Sequence, residues 1–244
     1  ESTNSYLMQR EAPPPGQASV ALTDNQTKGR GRHGRTWQSP PGSGLCVSVG
    51  ITFTSQPANV PALTLALGLG AIAALERLGV SGVQLKWPND LVAGDGKLGG
   101  ILTETRSHMS GSISIVSGLG INVDLGEKSC PGVETDWAYG VADLAGFVDT
   151  MPSRHTLATC LVEGLCTTFF DYEANGFEYF AGRWPDRDWL FGRALTIETP
   201  QRQVAGVGAG IARDGALLVD TGTGAFSRIT SGSVVMAGIR ETQG

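Results

Sequence analysis

Between Gly29 and Trp37 the chain reads GRGRHGRTW. Arg30, Arg32 and Arg35 offer planar charged forks for a carboxylate or a phosphate, while Gly29, Gly31 and Gly34 let backbone approach a ligand or take positive φ. The segment has the chemistry of an anion clamp. Trp37 adds a flat π face, suited to a nucleobase or to a packed core. On these residues alone, a solvated charge run or a nucleic-acid patch is the alternative.

Four other short segments carry polar groups in suggestive places. Ser2-Thr3-Asn4 is either the N-cap of a helix over Tyr6 to Arg10 or the wall of a polar pocket. Lys86-Trp87-Pro88-Asn89-Asp90 sets a lysine, an amide and a carboxylate on a strand end and its turn, where sheet enzymes hold ligands; an Asx-type turn would use the same residues. Lys97 stands one residue ahead of the pair Gly99-Gly100, across Leu98, at a strand start, as a ligand lysine or as a surface one. Gly118-Leu119-Gly120-Ile121-Asn122 has only part of a dinucleotide fingerprint, without its third glycine and following helix.

The whole-chain properties limit the chemistry. With 244 residues, 41% hydrophobic and 17% charged, the sequence has the composition of a globular protein large enough for one sizeable domain and a small one. A net charge of -5 argues against a general polyanion binder, since positive charge is confined to short segments. No apolar run approaches the roughly 18 residues of a membrane span, and the first twenty residues hold Arg10, Glu11 and Pro13-Pro14-Pro15 in place of a signal core. A cytoplasmic location is the expectation. Cys46, Cys130, Cys160 and Cys166 lack CxxC spacing and read as reduced and structural, and His33, His108 and His155 lack metal-ligand spacing. Charge stabilisation and positioning are therefore expected, with no covalent protein nucleophile.

Periodicity supplies the elements that must hold these groups. Strands are expected over Leu45–Phe53 and Val83–Trp87, with a hairpin of Lys97–Thr105 and Ser112–Val123 turning around His108–Gly111. Helices are expected over Pro61–Leu78, stopped by Gly79, and over Thr156–Tyr172. Beyond Trp189, alternating short strands separated by Gly, Asp and Pro suit a small barrel, so a boundary is placed near 190 with Phe180–Trp189 as the junction.

Taken in order, STN, QTKGRGRHGRTW, KWPNDL, KLGGIL and GLGIN resemble the biotin protein ligases, and the resemblance extends from residue 1 to about 240. It implies an α+β fold: a mixed β-sheet catalytic domain of the biotin/lipoate ligase type over residues 1–190, then an SH3-like β-barrel over 191–244. It implies ATP-dependent formation of biotinyl-5′-AMP and transfer of biotin to a lysine of a biotin carboxyl carrier domain, with Mg²⁺ as cofactor and a possible homodimer. Biotin falls to Ser2, Thr3, Asn4, Gln26, Arg30, Gly31, Arg32 and Lys97. The nucleotide and its phosphates fall to Arg30, Arg32, Arg35, Trp37, Asn89, Asp90, Lys97 and Asn122, with Asp90 toward the metal and Lys97 and Arg32 as catalytic groups. Gly29, Gly34, Gly99, Gly100, Gly118 and Gly120 shape the ligand loops.

Two rivals stand beside that reading. A lipoate or octanoate attachment enzyme would share the sheet but lacks the GRGRxGRxW clamp, and the octanoyl transferases need a catalytic cysteine. A biotin-responsive repressor would need an N-terminal winged helix ahead of the first motif, so either the numbering begins inside a longer protein or this is a short ligase. The strand Ser233 to Ile239 carries Val, Met and Ala where some relatives place a basic residue near the nucleotide; Arg240 is the neighbouring candidate.

Overall fold

The computed structural model describes residues 1–38, 40–55, 57, 59–126 and 140–236. Its larger part runs α1 (Thr3–Met8), β1 (Ala18–Thr23), β2 (Gly44–Phe53), α2 (Val60–Glu76), β3 (Val83–Lys86), β4 (Asp90–Ala93), β5 (Gly96–Ser107), β6 (Ile113–Asn122), α3 (Arg154–Asn175) and α4 (Glu178–Ala181). The strands form one six-stranded sheet in the order β1-β2-β6-β5-β4-β3. Every neighbouring pair is antiparallel, and isolated parallel bridges, Leu85 with Asp188 and Lys97 with Val141, give it a mixed character.

Strand alternation divides this sheet into two chemically different faces. Ile51 and Phe53 of β2 register with Ile115 and Ile113 of β6, and Phe53 meets Phe169 of α3 edge to face at 6.3 Å. The same face carries the Thr103–Ser117 hydroxyl pair at 2.6 Å, which α2 reaches through Thr64 at 2.9 Å. Each fully buried aliphatic or aromatic side chain in this layer contributes about 1.5–3 kcal/mol relative to exposure. The opposite face is paved by glycines and covered by α1 and the arginine segment, so the long helices leave it free for chemistry.

α2 begins where Asn59 accepts a hydrogen bond from the Ala62 amide at 3.2 Å, with Pro61 in the first turn. It ends at Glu76, two residues before the expected Leu78, and the chain turns away at Gly79, whose φ of +84° lets the Gly79 and Val80 amides return to the carbonyls of Glu76 and Leu75. The β5–β6 hairpin turns over residues 108–112 with the His108 amide donating to the Ser112 carbonyl at 3.0 Å. Two strands were not anticipated. β1 is a small-residue edge strand, and β4 is four residues long and hidden behind the Pro88 turn.

After residue 190 come β7 (Ala194–Glu198), β8 (Gln203–Ile211), β9 (Leu217–Asp220), β10 (Phe226–Ile229) and β11 (Ser233–Met236), an antiparallel sheet in the order β10-β9-β8-β7-β11. Cys130 and residues 237–244, Arg240 among them, lie outside the described residues. Within the stretch expected as a junction, Trp184 and Trp189 are buried, and the Trp189 amide donates to the Leu85 carbonyl at 3.0 Å. The Trp87 indole donates to the Gly215 carbonyl at 3.0 Å, so the small sheet rests directly on the large one.

Asn59 also donates through its side chain to the Asp214 carbonyl. Asn59→Ala is therefore expected to lower unfolding free energy by about 1–2 kcal/mol, the cost of a lost N-cap, read as a fall in the urea midpoint at constant slope. An unchanged midpoint would show that neither contact carries weight.

Candidate active site

The register of β2, β6, β5 and β4 builds a floor of two rows. One row is Ser48, Gly118 and Leu102; the next is Cys46, Gly120, Gly100 and Asp90. Two residues of extended chain separate the rows by about 7 Å. The glycines are a steric requirement, because a Cβ on Gly118 would collide with Asn4 Oδ1, and one on Gly120 would stand 2.6 Å from the Trp37 ring.

Over the first row lies an uncharged pocket. Ser2 caps α1 by accepting from the Ser5 amide, which places Thr3 and Asn4 in the first turn, all three buried. Cap and pocket wall are thus one device. Ser48 Oγ lies 2.7 Å from both Thr3 Oγ1 and Asn4 Oδ1. Asn4 Nδ2 donates to the Leu102 carbonyl and to Glu104 Oε2, each at 3.0 Å. Gln26 Oε1 accepts from the Thr3 amide at 2.8 Å, and Gln26 Nε2 points at the Cys46 sulfur, 3.2 Å away.

The arginine segment is a short hairpin. The Trp37 amide donates to the Gly29 carbonyl at 3.1 Å and the Gly31 amide to the Arg35 carbonyl at 2.7 Å, closing a 3₁₀ turn over Arg32–Gly34. Gly29 packs against the Trp37 carbonyl with no room for a side chain. Gly34 has φ +76°, and His33 beside it also lies in the left-handed region at +54°. Trp37 rests on Gly120 in the row of Cys46, beside the uncharged pocket.

Cations gather at the other end of the floor. Lys97 Nζ lies 2.7 Å from Asp90 Oδ1. Arg32 donates to Asn89 Oδ1 at 3.3 Å, and Asn89 Nδ2 donates to the Ile101 carbonyl at 2.9 Å. Gly99 fits under the Gly120 carbonyl, and Gly100 leaves space beside Asp90 and Lys97. Burial lowers the Arg32 pKa, with Asp90 opposing and Arg35 adding to the shift. Asn122 lies deeper, its amide donating to the carbonyls of Lys97 and Ala142 at 3.2 and 2.9 Å, so it fixes the backbone that carries Lys97.

An uncharged hydrogen-bonding pocket and a cluster of cations at opposite ends of one glycine floor suit a ligand with a neutral polar head and an anionic tail. Residues 1–122 match the model of the Biotin/lipoate A/B protein ligase family, and residues 190–236 match the Biotin protein ligase C terminal domain. The Mycobacterium tuberculosis biotin–[acetyl-CoA-carboxylase] ligase is 32% identical over 241 residues, covering 96% of this chain and 85% of that protein. The chain belongs to the biotin protein ligases.

Other relatives of this family agree. The bifunctional ligase/repressor BirA of Escherichia coli is 33% identical over 221 residues, 90% of this chain and 67% of that protein. The Aquifex aeolicus biotin protein ligase, solved in complex with biotin and ATP, superimposes with a TM-score of 0.78 at 26% identity, covering 96% of this chain and 94% of that one. The α+β expectation and the resemblance to this family both hold.

Ser48, Glu104 and Lys86 lie among these groups although the motifs did not assign them. Ser48 had a readable signal, a hydroxyl between Val47 and Val49 in a mostly apolar strand. Lys86 is 9% exposed, and its ammonium donates to the Val234 carbonyl at 3.2 Å. Burial lowers its pKa to about 8, against the pull of Asp90 and assisted by Lys97 and Arg35. A depressed lysine binds fewer protons folded than unfolded between pH 8 and its ordinary value near 10.5. Stability from this group should therefore rise as pH climbs through that window. Lys86→Met should flatten the rise in denaturant titrations, and an identical slope in both proteins would place the pH dependence elsewhere.

Proposed function

We propose that this chain is an ATP-dependent biotin protein ligase that makes biotinyl-5′-AMP and passes biotin to a lysine of a biotin carboxyl carrier domain. The observation that carries the reading is the floor with Thr3, Asn4, Gln26 and Ser48 at one end and the Lys97–Asp90 pair with Arg32 at the other. Neutral donors and acceptors match the ureido ring of biotin, and the cations match its carboxylate and the α-phosphate. Residues 1–190 form the biotin- and ATP-binding part in this proposal, and residues 191–244 the SH3-like part.

In the first step a biotin carboxylate oxygen bonds to the α-phosphorus and the bond to the pyrophosphate oxygen breaks. Two anions must meet, and the phosphorus gains charge as they do. Lys97 and Arg32 stand where that charge develops, and their strength comes from being fixed before it appears. Arg30, Gly31 and Arg35 of the hairpin close over the ligand, Trp37 supplies an apolar wall, and Asn122 holds the strand that carries Lys97. Asn89 orients Arg32. In the second step a carrier lysine amine attacks the acyl carbon, AMP leaves, and the amine loses its proton.

Among the described residues no cluster of three or more His, Cys, Asp or Glu forms a protein cage for a metal. The Asp90 carboxylate would be the protein group that holds a magnesium ion arriving with the nucleotide, and the ion would neutralise phosphate charge. A cysteine route is disfavoured, since burial raises the Cys46 thiol to about 11, too high for a ready thiolate. No helix among the described residues is long and apolar enough to cross a membrane, and the proposal places the enzyme in the cytoplasm, where ATP is available. A homodimer is part of the same proposal, tested by light scattering with and without ligands.

The deciding experiment incubates the chain with labelled biotin, MgATP and a carrier domain, with lipoate as competitor. Label on the carrier lysine, dependent on ATP and indifferent to lipoate, supports the reading. Labelling by lipoate in preference to biotin would overturn it in favour of the lipoate enzymes.

A further inference from the structure

We infer that Glu104 is a positioning residue that docks the arginine hairpin onto the polar pocket, making Arg30 a strut of the closed site rather than a contact to the substrate anion. The inference rests on the ligase reading for its functional consequence, though its geometry stands alone. Glu104 occupies the ligand face of β5, one row beyond Leu102 and Gly118, and registers with Val116. Its Oε1 lies 2.8 Å from Arg30 Nη2, and its Oε2 accepts from Arg30 Nη1 at 3.4 Å. The same Oε2 accepts from Asn4 Nδ2 at 3.0 Å, and Arg30 also donates to Ser5 Oγ at 3.3 Å.

One carboxylate therefore holds two things that the chemistry needs held. Leu102 oxygen and Glu104 are both pure acceptors, so the Asn4 amide must turn its Nδ2 toward them and its Oδ1 toward Ser48 and the pocket. That leaves an acceptor for a ligand N–H. Arg30 meanwhile reaches down from the hairpin to a recessed partner, its side chain 49% exposed against 20% for Glu104. Unpaired, Glu104 would repel an anion entering the same floor; paired, its charge is cancelled and the hairpin is anchored. Arg32, at the first position of the turn and joined to Asn89, is left to serve the anion.

The test uses Glu104→Gln, Arg30→Ala and the double variant of the intact chain. Hydrogen exchange over residues 29–37 is measured without ligand, and biotinyl-adenylate dissociation is measured alongside. Each single change should speed exchange in the hairpin and adenylate loss about tenfold, the loss of one partly exposed charge-assisted contact. The double variant should be no worse than Arg30→Ala alone, and protection of the β5–β6 amides should stay as in the parent, which a general loss of structure would not allow. Unchanged hairpin exchange in Glu104→Gln overturns the inference, as do effects on adenylate loss that multiply in the double variant, which would mean that Arg30 acts on the anion independently. A parent chain that forms no adenylate defeats the ligase reading instead, and the ligand-free exchange still decides whether Glu104 docks the hairpin.

Discussion

Lys97→Ala is expected to slow pyrophosphate release on the order of 10²–10³-fold, about 3–4 kcal/mol of lost transition-state stabilisation, while biotin affinity changes much less. The asymmetry follows from position. Lys97 lies at the cationic end of the floor, 2.7 Å from Asp90, away from the uncharged pocket that would hold the biotin head. Its charge matters most when the phosphorus carries extra negative charge, which ground-state binding does not sample. Removing the lysine also takes the nearest cation, 2.7 Å away, from the mostly buried Asp90 carboxylate, so Lys97→Ala/Asp90→Asn is the needed companion. If recovery in the double variant were complete, the single defect would come from the stranded carboxylate. Pyrophosphate release at the parental rate in Lys97→Ala would remove the residue from the chemistry.

Gly118→Ala should produce the complementary defect. The added methyl would collide with Asn4 Oδ1 and stand 3.0 Å from both Asn4 Cγ and Ser48 Oγ, forcing apart the group that defines the uncharged pocket. Two hydrogen bonds to the ligand head are at stake, so biotin binding is expected to weaken on the order of 100-fold. Gly100→Ala, one row along, is the internal comparison. Its methyl would approach Asp90 Oδ1 at 3.2 Å and Lys97 Cε at 3.7 Å, so it should disturb the nucleotide end more than biotin binding. Calorimetric titration of biotin into both variants separates the ends of the floor. Equal weakening in the two would mean that the rows are not chemically distinct.

The long elements were legible because their patterns are strong. β2 and β6 carry dense β-branched runs, and α2 shows leucines and alanines at helical spacing with Gly79 beyond them. β1 escaped because Ala18-Ser19-Val20-Ala21-Leu22-Thr23 offers little apolar contrast and lies on an edge with alternating partial exposure. β4 escaped because Asp90 reads first as a turn residue, yet it opens the strand and registers with Gly100. The motif residues of the site were visible as types, but their arrangement in rows depends on strand register, which fixes who stands abreast of whom. Glu104 shows the limit most clearly. Within TETRS it is one acidic residue on an alternating strand, and its meaning arises only when Arg30, 74 positions earlier, folds down onto it. The stretch before 190 reads as a junction from its charge and Trp content, and only the fold shows that two of those side chains, Trp184 and Trp189, are buried.

The hydrogen bond from Lys86 to Val234 joins positions 148 residues apart. Chains grow from the N-terminus, so every motif of the floor leaves the ribosome well before the strand that receives this lysine. Until β11 pairs with β7 and offers that carbonyl, Lys86 has an unfinished environment beside Asp90 and Lys97. The last of the described strands to be synthesised thus completes the surroundings of a lysine whose neighbours at the cationic end all come more than a hundred residues earlier.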